Sequence, residues 1–97
     1  ITNILIATVT AYCHCKTCCG PDAKGITASG QRPKEGITIA ASRNIPFGSR
    51  VRIGASEYTV QDRLAKKYDS RFDIYMSSHK QAKAFGIRTN KVTVITK

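Results

Sequence analysis

The chain has 97 residues, of which 41% are hydrophobic, and these values suit one globular domain and exclude a disordered chain. Lysine and arginine number 16 against six acids, so the net charge of +10 favours acidic partners. No apolar run approaches the ~20 residues of a membrane-spanning helix, and we expect no transmembrane segment. We therefore expect a single domain over residues 1–97.

The positive charges are scattered along the chain, and Lys66-Lys67 is the one adjacent pair. Nucleic acid, anionic cell-wall polymer and a membrane surface would all attract such a chain. The sequence has no zinc-finger spacing, no basic helix and no aromatic cluster of the RNA-recognition type. Charge alone therefore indicates an acidic partner, and nucleic acid is not the one we favour.

Alternation of apolar and polar or β-branched residues predicts β-strands along most of the chain. The expected strands are residues 4–12, 37–42, 50–53, 57–61, 72–76 and 91–96. Residues 26–30 stand between glycines and predict a further short extended segment. Short strands with closely spaced turn signals are typical of a small barrel, so the predicted fold is mostly β.

One short helix is predicted at about residues 78–86. Ser78 and Gln81 have the spacing of a capping box, with Ser78 at the N-cap position and Gln81 at N3. Ala82 and Phe85 then share a face, and Gly86 stands where a helix commonly ends.

Four cysteines lie within seven residues, with His14 among them: Cys13, Cys15, Cys18 and Cys19. In a small exported domain four cysteines normally form two disulfides, and three connectivities are possible. Adjacent Cys18 and Cys19 rarely meet disulfide geometry. The alternative is a zinc site, but the spacing lacks the paired C-x-x-C of zinc knuckles. We favour disulfides and predict no metal and no cofactor.

Three of the six acids, Asp62, Asp69 and Asp73, fall within 12 positions. In the simplest interpretation they neutralise neighbouring cations, with Asp73 in a salt bridge to Arg63 or Arg71 and Asp62 capping a turn. The other interpretation is catalytic. Asp73 stands on an apolar strand, where hydrophobic surroundings and a second carboxylate would keep it protonated, as an acid catalyst at neutral pH requires.

Seven short motifs follow one another in an order that resembles the three-aspartate (3D) domain. This domain occurs in stationary-phase survival proteins, in companions of resuscitation-promoting factors and in the catalytic part of membrane-bound lytic transglycosylase A. The resemblance spans residues 9–94, and the last two aspartates are eleven positions apart. The motifs are TAY (10–12), GITASG (25–30), IAA (39–41), IPFG (45–48), VQD (60–62), FDIYM (72–76) and AFG (84–86).

The resemblance implies a six-stranded double-psi β-barrel that cleaves peptidoglycan without water. The β-1,4 bond between N-acetylmuramic acid and N-acetylglucosamine would break as a 1,6-anhydro ring forms. The residue matching Asp73 is the family's general acid/base, and the residue matching Asp62 supports it. We therefore expect a monomer that is secreted or held in a bacterial-type cell envelope, with peptidoglycan strands as substrate and anionic wall polymer as a further partner.

The sequence departs from the family at the first aspartate, because Ser42 or Arg43 stands at that position. We take the missing aspartate to be a supporting residue, because a single carboxyl can donate a proton and then accept one; if it were essential, this chain would be impaired. The departure also favours an alternative, a non-catalytic barrel that binds cell-wall glycan.

Two further residues are predicted to bind substrate. Tyr12 would stack on a sugar ring, and Thr27 would hydrogen-bond a sugar or Asp73. The competing interpretations are an aromatic at the barrel rim and an ordinary strand threonine. His79, in the exposed first turn of the helix, is expected to take no part in catalysis.

Overall fold

Strands make up most of the regular structure in the computed structural model, which describes residues 2–13, 26–64, 66–68 and 70–97. One helix and one 3₁₀ turn, at Lys66–Tyr68, complete it. In chain order the strands and the helix are β1 (Thr2–Tyr12), β2 (Thr38–Ala41), β3 (Arg50–Ile53), β4 (Ser56–Arg63), β5 (Phe72–Tyr75), α1 (His79–Phe85) and β6 (Arg88–Ile95).

The six strands close into a barrel in the order β1-β5-β2-β4-β3-β6. The β1–β5 and β2–β4 pairs are parallel, and neither joins strands that are consecutive in the chain. The remaining neighbours are antiparallel. Crossed connections of this kind, in a closed six-stranded barrel with one helix, confirm the predicted fold class.

The barrel interior is filled mostly by aliphatic side chains that alternate along the strands, because successive strand residues point to opposite faces. On β2 the inward residues are Ile39 and Ala41, and on β5 they are Phe72 and Ile74. The other members of this buried cluster are Ala7, Val9, Val51, Val60, Val92 and Val94. β-branched residues predominate, as expected of side chains that pack well on a pleated sheet.

A second, smaller apolar cluster lies on the outer face of the sheet. It consists of Tyr12, Ala40 and Leu64, with Tyr75 packed against it. The rings of Tyr12 and Tyr75 meet edge to face, 5.7 Å between centroids. This outer cluster lies beside Asp62, whose carboxylate accepts a hydrogen bond from the Tyr12 hydroxyl.

Helix α1 begins and ends as the sequence predicts. The Ser78 hydroxyl accepts a hydrogen bond from the Gln81 N–H at 3.3 Å, and Gly86 follows with a φ of 71°. Ala82 is the buried residue of the helix. Its small side chain lets the helix lie close against β1.

The structure differs from the sequence prediction at residues 26–30. They form a turn and not an extended segment, because the Thr27 N–H donates to the Gln31 carbonyl and the Gly30 N–H donates to the Thr27 carbonyl. The predicted strands are otherwise present. β1 and β6 begin two and three residues earlier than predicted, and β4 extends one residue further at its start and two at its end. No helix among the described residues is long and apolar enough to cross a membrane.

Ile39→Ala tests whether the inner cluster stabilises the barrel. Ile39 is 0% exposed, and we expect the free energy of unfolding to fall by about 2–5 kcal/mol through lost burial and a residual cavity. Ile6→Ala is the matched control, because Ile6 is 70% exposed on β1. Its loss should stay within about 0.5 kcal/mol in urea unfolding. Equal losses in the two variants would contradict the assignment of the core.

Candidate active site

Four residues form a row across four adjacent strands of the barrel wall. Thr10 is paired with Asp73, Asp73 with Ala40, and Ala40 with Asp62. Two strand spacings separate the aspartates, so their Cα atoms lie about 10 Å apart. The side chain between them is the methyl group of Ala40, which is buried and packs with Tyr12 and Leu64.

A β-bulge brings Asp62 to this outer face. Val60 pairs with Ile39, but the next pair joins Asp62 to Ala40, so Gln61 is an extra residue on β4. Without the bulge Asp62 would point inward like Val60, because strand residues two apart share a face. The bulge therefore removes a carboxylate from the apolar interior and places it in line with Asp73.

Asp62 is buried, at 8% exposed, and surrounded by hydrogen-bond donors. Its Oδ2 accepts from the Tyr12 hydroxyl at 2.7 Å. Its Oδ1 accepts from the backbone N–H groups of Ala28 and Arg63, each at 2.9 Å. Donors to both oxygens are what an ionised carboxylate needs when water is excluded. The hydrogen bond from the Arg63 N–H fits the simpler interpretation of Asp62 as a turn cap. The donors from Tyr12 and Ala28 are far away in the chain, and a turn cap does not account for them.

The turn at residues 26–30 supplies one of these donors. The bulged Gln61 carbonyl accepts from the Ser29 N–H at 3.2 Å, which tethers the turn to β4 beside Asp62. Thr27 is buried, and its Oγ1 lies 2.9 Å from Ser29 Oγ and accepts from the Gln31 N–H at 3.2 Å. Thr27 thus shapes the turn that presents the Ala28 N–H, and its contact with a sugar or with Asp73 stays a prediction.

Asp73 has the opposite environment. Its Oδ1 accepts from the Thr10 hydroxyl at 3.1 Å, and the described residues offer it no further hydrogen-bond donor. Burial raises the pKa of Asp73 to about 6, against the opposing effect of the Thr10 hydrogen bond. The nearby Asp62 raises this pKa further, and Arg71 lowers it. Asp73 therefore exchanges a proton near neutral pH, as the sequence predicted for a catalytic acid.

The salt bridge considered for Asp73 is not formed within the described part of the chain. Arg71 acts on the carboxylate through its charge, while its guanidinium stacks on the Tyr68 ring, 4.5 Å from the centroid. Arg63 stacks on Phe47, 3.9 Å from that centroid. Asp69 lies outside the described residues.

A groove of about 340 Å³ opens beside Asp73. Its walls come from β1, β5, the 3₁₀ turn and helix α1, and they include Thr10, Leu64, Tyr68, Arg71, Lys83 and Ile87. Sequence reasoning missed Thr10, Tyr68 and Lys83 as site residues. The sequence could have indicated Thr10, because it lies two residues before Tyr12 and so shares its strand face. Nothing in the sequence pattern indicated Tyr68 or Lys83 as site residues.

Tyr12 lies at the site, but its ring is covered. It is 9% exposed, with its hydroxyl on Asp62 and its ring against Tyr75. A ring packed in this way exposes little surface on which a sugar could stack. The contact that the structure shows is the hydrogen bond from the Tyr12 hydroxyl to Asp62. Stacking of Tyr12 on a sugar stays a prediction.

Ser42 directly follows β2 and is one of the two residues, with Arg43, that the resemblance to the three-aspartate domain aligns with that domain's first aspartate. Its Oγ accepts from the Asn44 N–H at 3.2 Å, and its carbonyl accepts from the Ile45 N–H at 3.0 Å. Short polar side chains, including aspartate, commonly make this bond two residues ahead in a turn. Serine can therefore shape the turn before Pro46 without supplying a carboxylate.

Cys13, the one cysteine among the described residues, follows β1. It is 2% exposed, and its Sγ lies 3.5 Å from His79 Nδ1 at the start of α1. His79 thus touches the end of β1, and its lack of a catalytic role stays a prediction. Cys15, Cys18 and Cys19 lie outside the described residues, so the disulfides stay a prediction.

A second cavity, of about 460 Å³, lies on another side of α1. Tyr58, Met76, Phe85 and Arg88 line it, and neither Asp62 nor Asp73 does. The groove beside Asp73 is the better candidate for chemistry, because it contains the carboxyl group whose pKa is raised toward neutrality.

No protein-family model matches the chain, and no curated protein matches it. The class that the fold and the site define is a closed β-barrel with two unlike carboxyl groups on its outer wall.

The raised pKa of Asp73 predicts a pH-dependent gain in stability for Asp73→Asn. The unfolded aspartate ionises near 3.8 and the folded one near 6, so the native fold is weakened as pH rises through this interval. The neutral amide escapes that cost and can still accept the Thr10 bond. We expect up to about 3 kcal/mol of added stability at about pH 8 and little at about pH 4.

Urea unfolding of both proteins at the two pH values measures this difference. A variant that is equally or less stable than the wild type at the higher pH would show that Asp73 is not an ionisable group held in apolar surroundings.

Proposed function

We propose that this protein is a lytic transglycosylase that cleaves peptidoglycan strands in a bacterial-type cell envelope. The observation that carries the proposal is the pair of unlike carboxyl groups: Asp73, poised near neutrality beside a groove, and Asp62, held by donors on both oxygens. The motifs shared with the three-aspartate domain supply the substrate class. No metal or cofactor is part of the proposal.

The reaction needs one group that changes roles. Asp73, protonated, would donate its proton to the glycosidic oxygen as the bond to N-acetylglucosamine breaks. The resulting carboxylate would take the proton from the C6 hydroxyl while that oxygen bonds to the anomeric carbon, closing the 1,6-anhydro ring. A pKa of about 6 makes both states accessible near neutral pH, which suits a group that must act as acid and then as base.

Asp62 would assist without exchanging protons. Its oxygens accept hydrogen bonds from Tyr12, Ala28 and Arg63, which leaves it poorly placed to activate a water molecule. Hydrolysis with inversion requires a second carboxylate acting on a water in just that way. The charge of Asp62 raises the pKa of Asp73 and would also stabilise positive charge as it develops on the sugar ring. This arrangement favours the non-hydrolytic reaction over hydrolysis.

A non-catalytic barrel that binds wall glycan is the second candidate. The net charge of +10 suits an anionic wall polymer, and Ser42 brings no carboxylate to the position of the family's first aspartate. Retention of both Asp62 and Asp73 in one row favours the enzyme.

Digestion of purified peptidoglycan separates the candidates. We expect soluble fragments that end in 1,6-anhydro-N-acetylmuramic acid, identified by mass spectrometry. Asp73→Asn should lower the rate at least 100-fold, because general acid–base catalysis commonly contributes 10²–10⁴-fold. Reducing-end products would indicate hydrolysis, and retained pull-down without products would indicate the binding barrel. Full activity in Asp73→Asn would remove this residue from the mechanism.

The pH dependence of kcat/KM tests the partnership of the two aspartates. Activity should fall above about pH 6, as Asp73 loses the proton it must donate. Because the charge of Asp62 raises the pKa of Asp73, Asp62→Asn should move this falling limb to lower pH. Glu57→Gln is the control: Glu57 lies exposed on the same strand, paired with Arg52, and its loss should leave the limb in place. An unmoved limb in Asp62→Asn would contradict the electrostatic role.

A further inference from the structure

Two cationic side chains line the groove beside Asp73. Arg71 comes from the segment just before β5, and Lys83 comes from the last turn of α1. Asp73 is the one acid lining the groove among the described residues. The groove therefore carries an excess of positive charge beside the proposed proton donor, and none of the mechanism above uses it.

Arg71 is held in place, unlike an ordinary surface arginine. Its guanidinium stacks over the Tyr68 ring at 4.5 Å, which restricts the side chain and leaves the N–H edge available for hydrogen bonds. Its charge acts on Asp73 and partly offsets the rise that burial causes in the pKa of that carboxyl. An anion bound by Arg71 would therefore lie within a sugar's width of the proposed scissile bond.

Lys83 faces the same groove from a fixed helix. The Ser78 cap and buried Ala82 hold α1 against the barrel. Leu64 and Ile87 add apolar surface to the groove, which suits the hydrophobic face of a sugar ring. Apolar surface with two cations fits a sugar that carries a carboxylate better than a neutral one.

We propose that Arg71 and Lys83 bind a carboxylate carried by the sugar at the cleavage site, so that the protein prefers N-acetylmuramic acid with a free lactyl group. Where a peptide stem is attached, the lactyl carboxyl is an amide and carries no charge. The protein would then act best on glycan from which the stems have been removed, and the reaction that supplies its substrate would be hydrolysis of that amide. This inference rests on the proposed function for the place of the bond, but its test does not require cleavage.

The test measures binding with Asp73→Asn protein, which keeps the probes intact. The probes are a tetrasaccharide of alternating N-acetylglucosamine and N-acetylmuramic acid with free lactyl carboxylates, and its methyl ester. The ester has nearly the same shape and no charge. We expect the free acid to bind at least tenfold more tightly by calorimetry at low salt, and the advantage to shrink as salt is added.

Single variants assign the effect to the two cations. Arg71→Gln and Lys83→Gln should each remove most of the preference while leaving affinity for the ester nearly unchanged. Lys80→Gln is the matched control, since Lys80 is exposed on the same helix and does not line the groove, and it should keep the full preference. Lys83 is also exposed, so Lys83→Gln should fold even if loss of Arg71 disturbs the turn at Tyr68.

The outcomes separate this inference from the proposed function. Equal affinity for acid and ester overturns it, even if digestion yields 1,6-anhydro products. A preference that Arg71→Gln and Lys83→Gln leave intact also overturns it. A preference lost in both variants supports it, even if the wild-type protein cleaves nothing and acts as a binding barrel.

Discussion

The candidate site depends on one extra residue in β4. Barrel closure fixes the register of every strand, so the alternation of inward and outward side chains leaves Asp62 on the inner face unless the register shifts. The bulge at Gln61 makes that shift. It also frees a backbone carbonyl for Ser29, and the tethered turn then donates the Ala28 N–H to Asp62. One irregularity thus positions a carboxylate and supplies part of its environment.

Two aspartates in one row acquire different chemistry because their surroundings differ. Asp62 receives hydrogen bonds from the backbone and from Tyr12, which stabilise its charge. Asp73 is desolvated, which favours its protonated form, and Thr10 is its one hydrogen-bond donor among the described residues. The charge on the first then acts on the second, so the two environments reinforce each other. Because desolvation of Asp73 weakens the fold at neutral pH, the aliphatic core must offset the cost of the site.

Local sequence rules predicted the strands and the helix, because period-two alternation, Ser78 and Gly86 act within a few residues. They also marked Asp73, whose apolar neighbours Phe72 and Ile74 are adjacent in the chain. They could not predict the row of carboxylates, because strand pairing joins positions far apart and the bulge at Gln61 breaks the period. The groove was out of reach for the same reason: Tyr68 and Lys83 meet only when the 3₁₀ turn and α1 pack on one side of the barrel.

Ala40 shows why the row tolerates so little change. It lies between Asp73 and Asp62, and its methyl group packs with Tyr12 and Leu64 in the outer cluster. A larger side chain there would fill the space between the carboxylates and push the Tyr12 ring from Asp62. The hydrogen bond from the Tyr12 hydroxyl to Asp62 would be lost. The Asp62 carboxylate, whose charge raises the pKa of Asp73, would then have one donor fewer. Ala40 therefore holds the two carboxyl groups on different strands while leaving Asp62 able to raise the pKa of Asp73 through its charge.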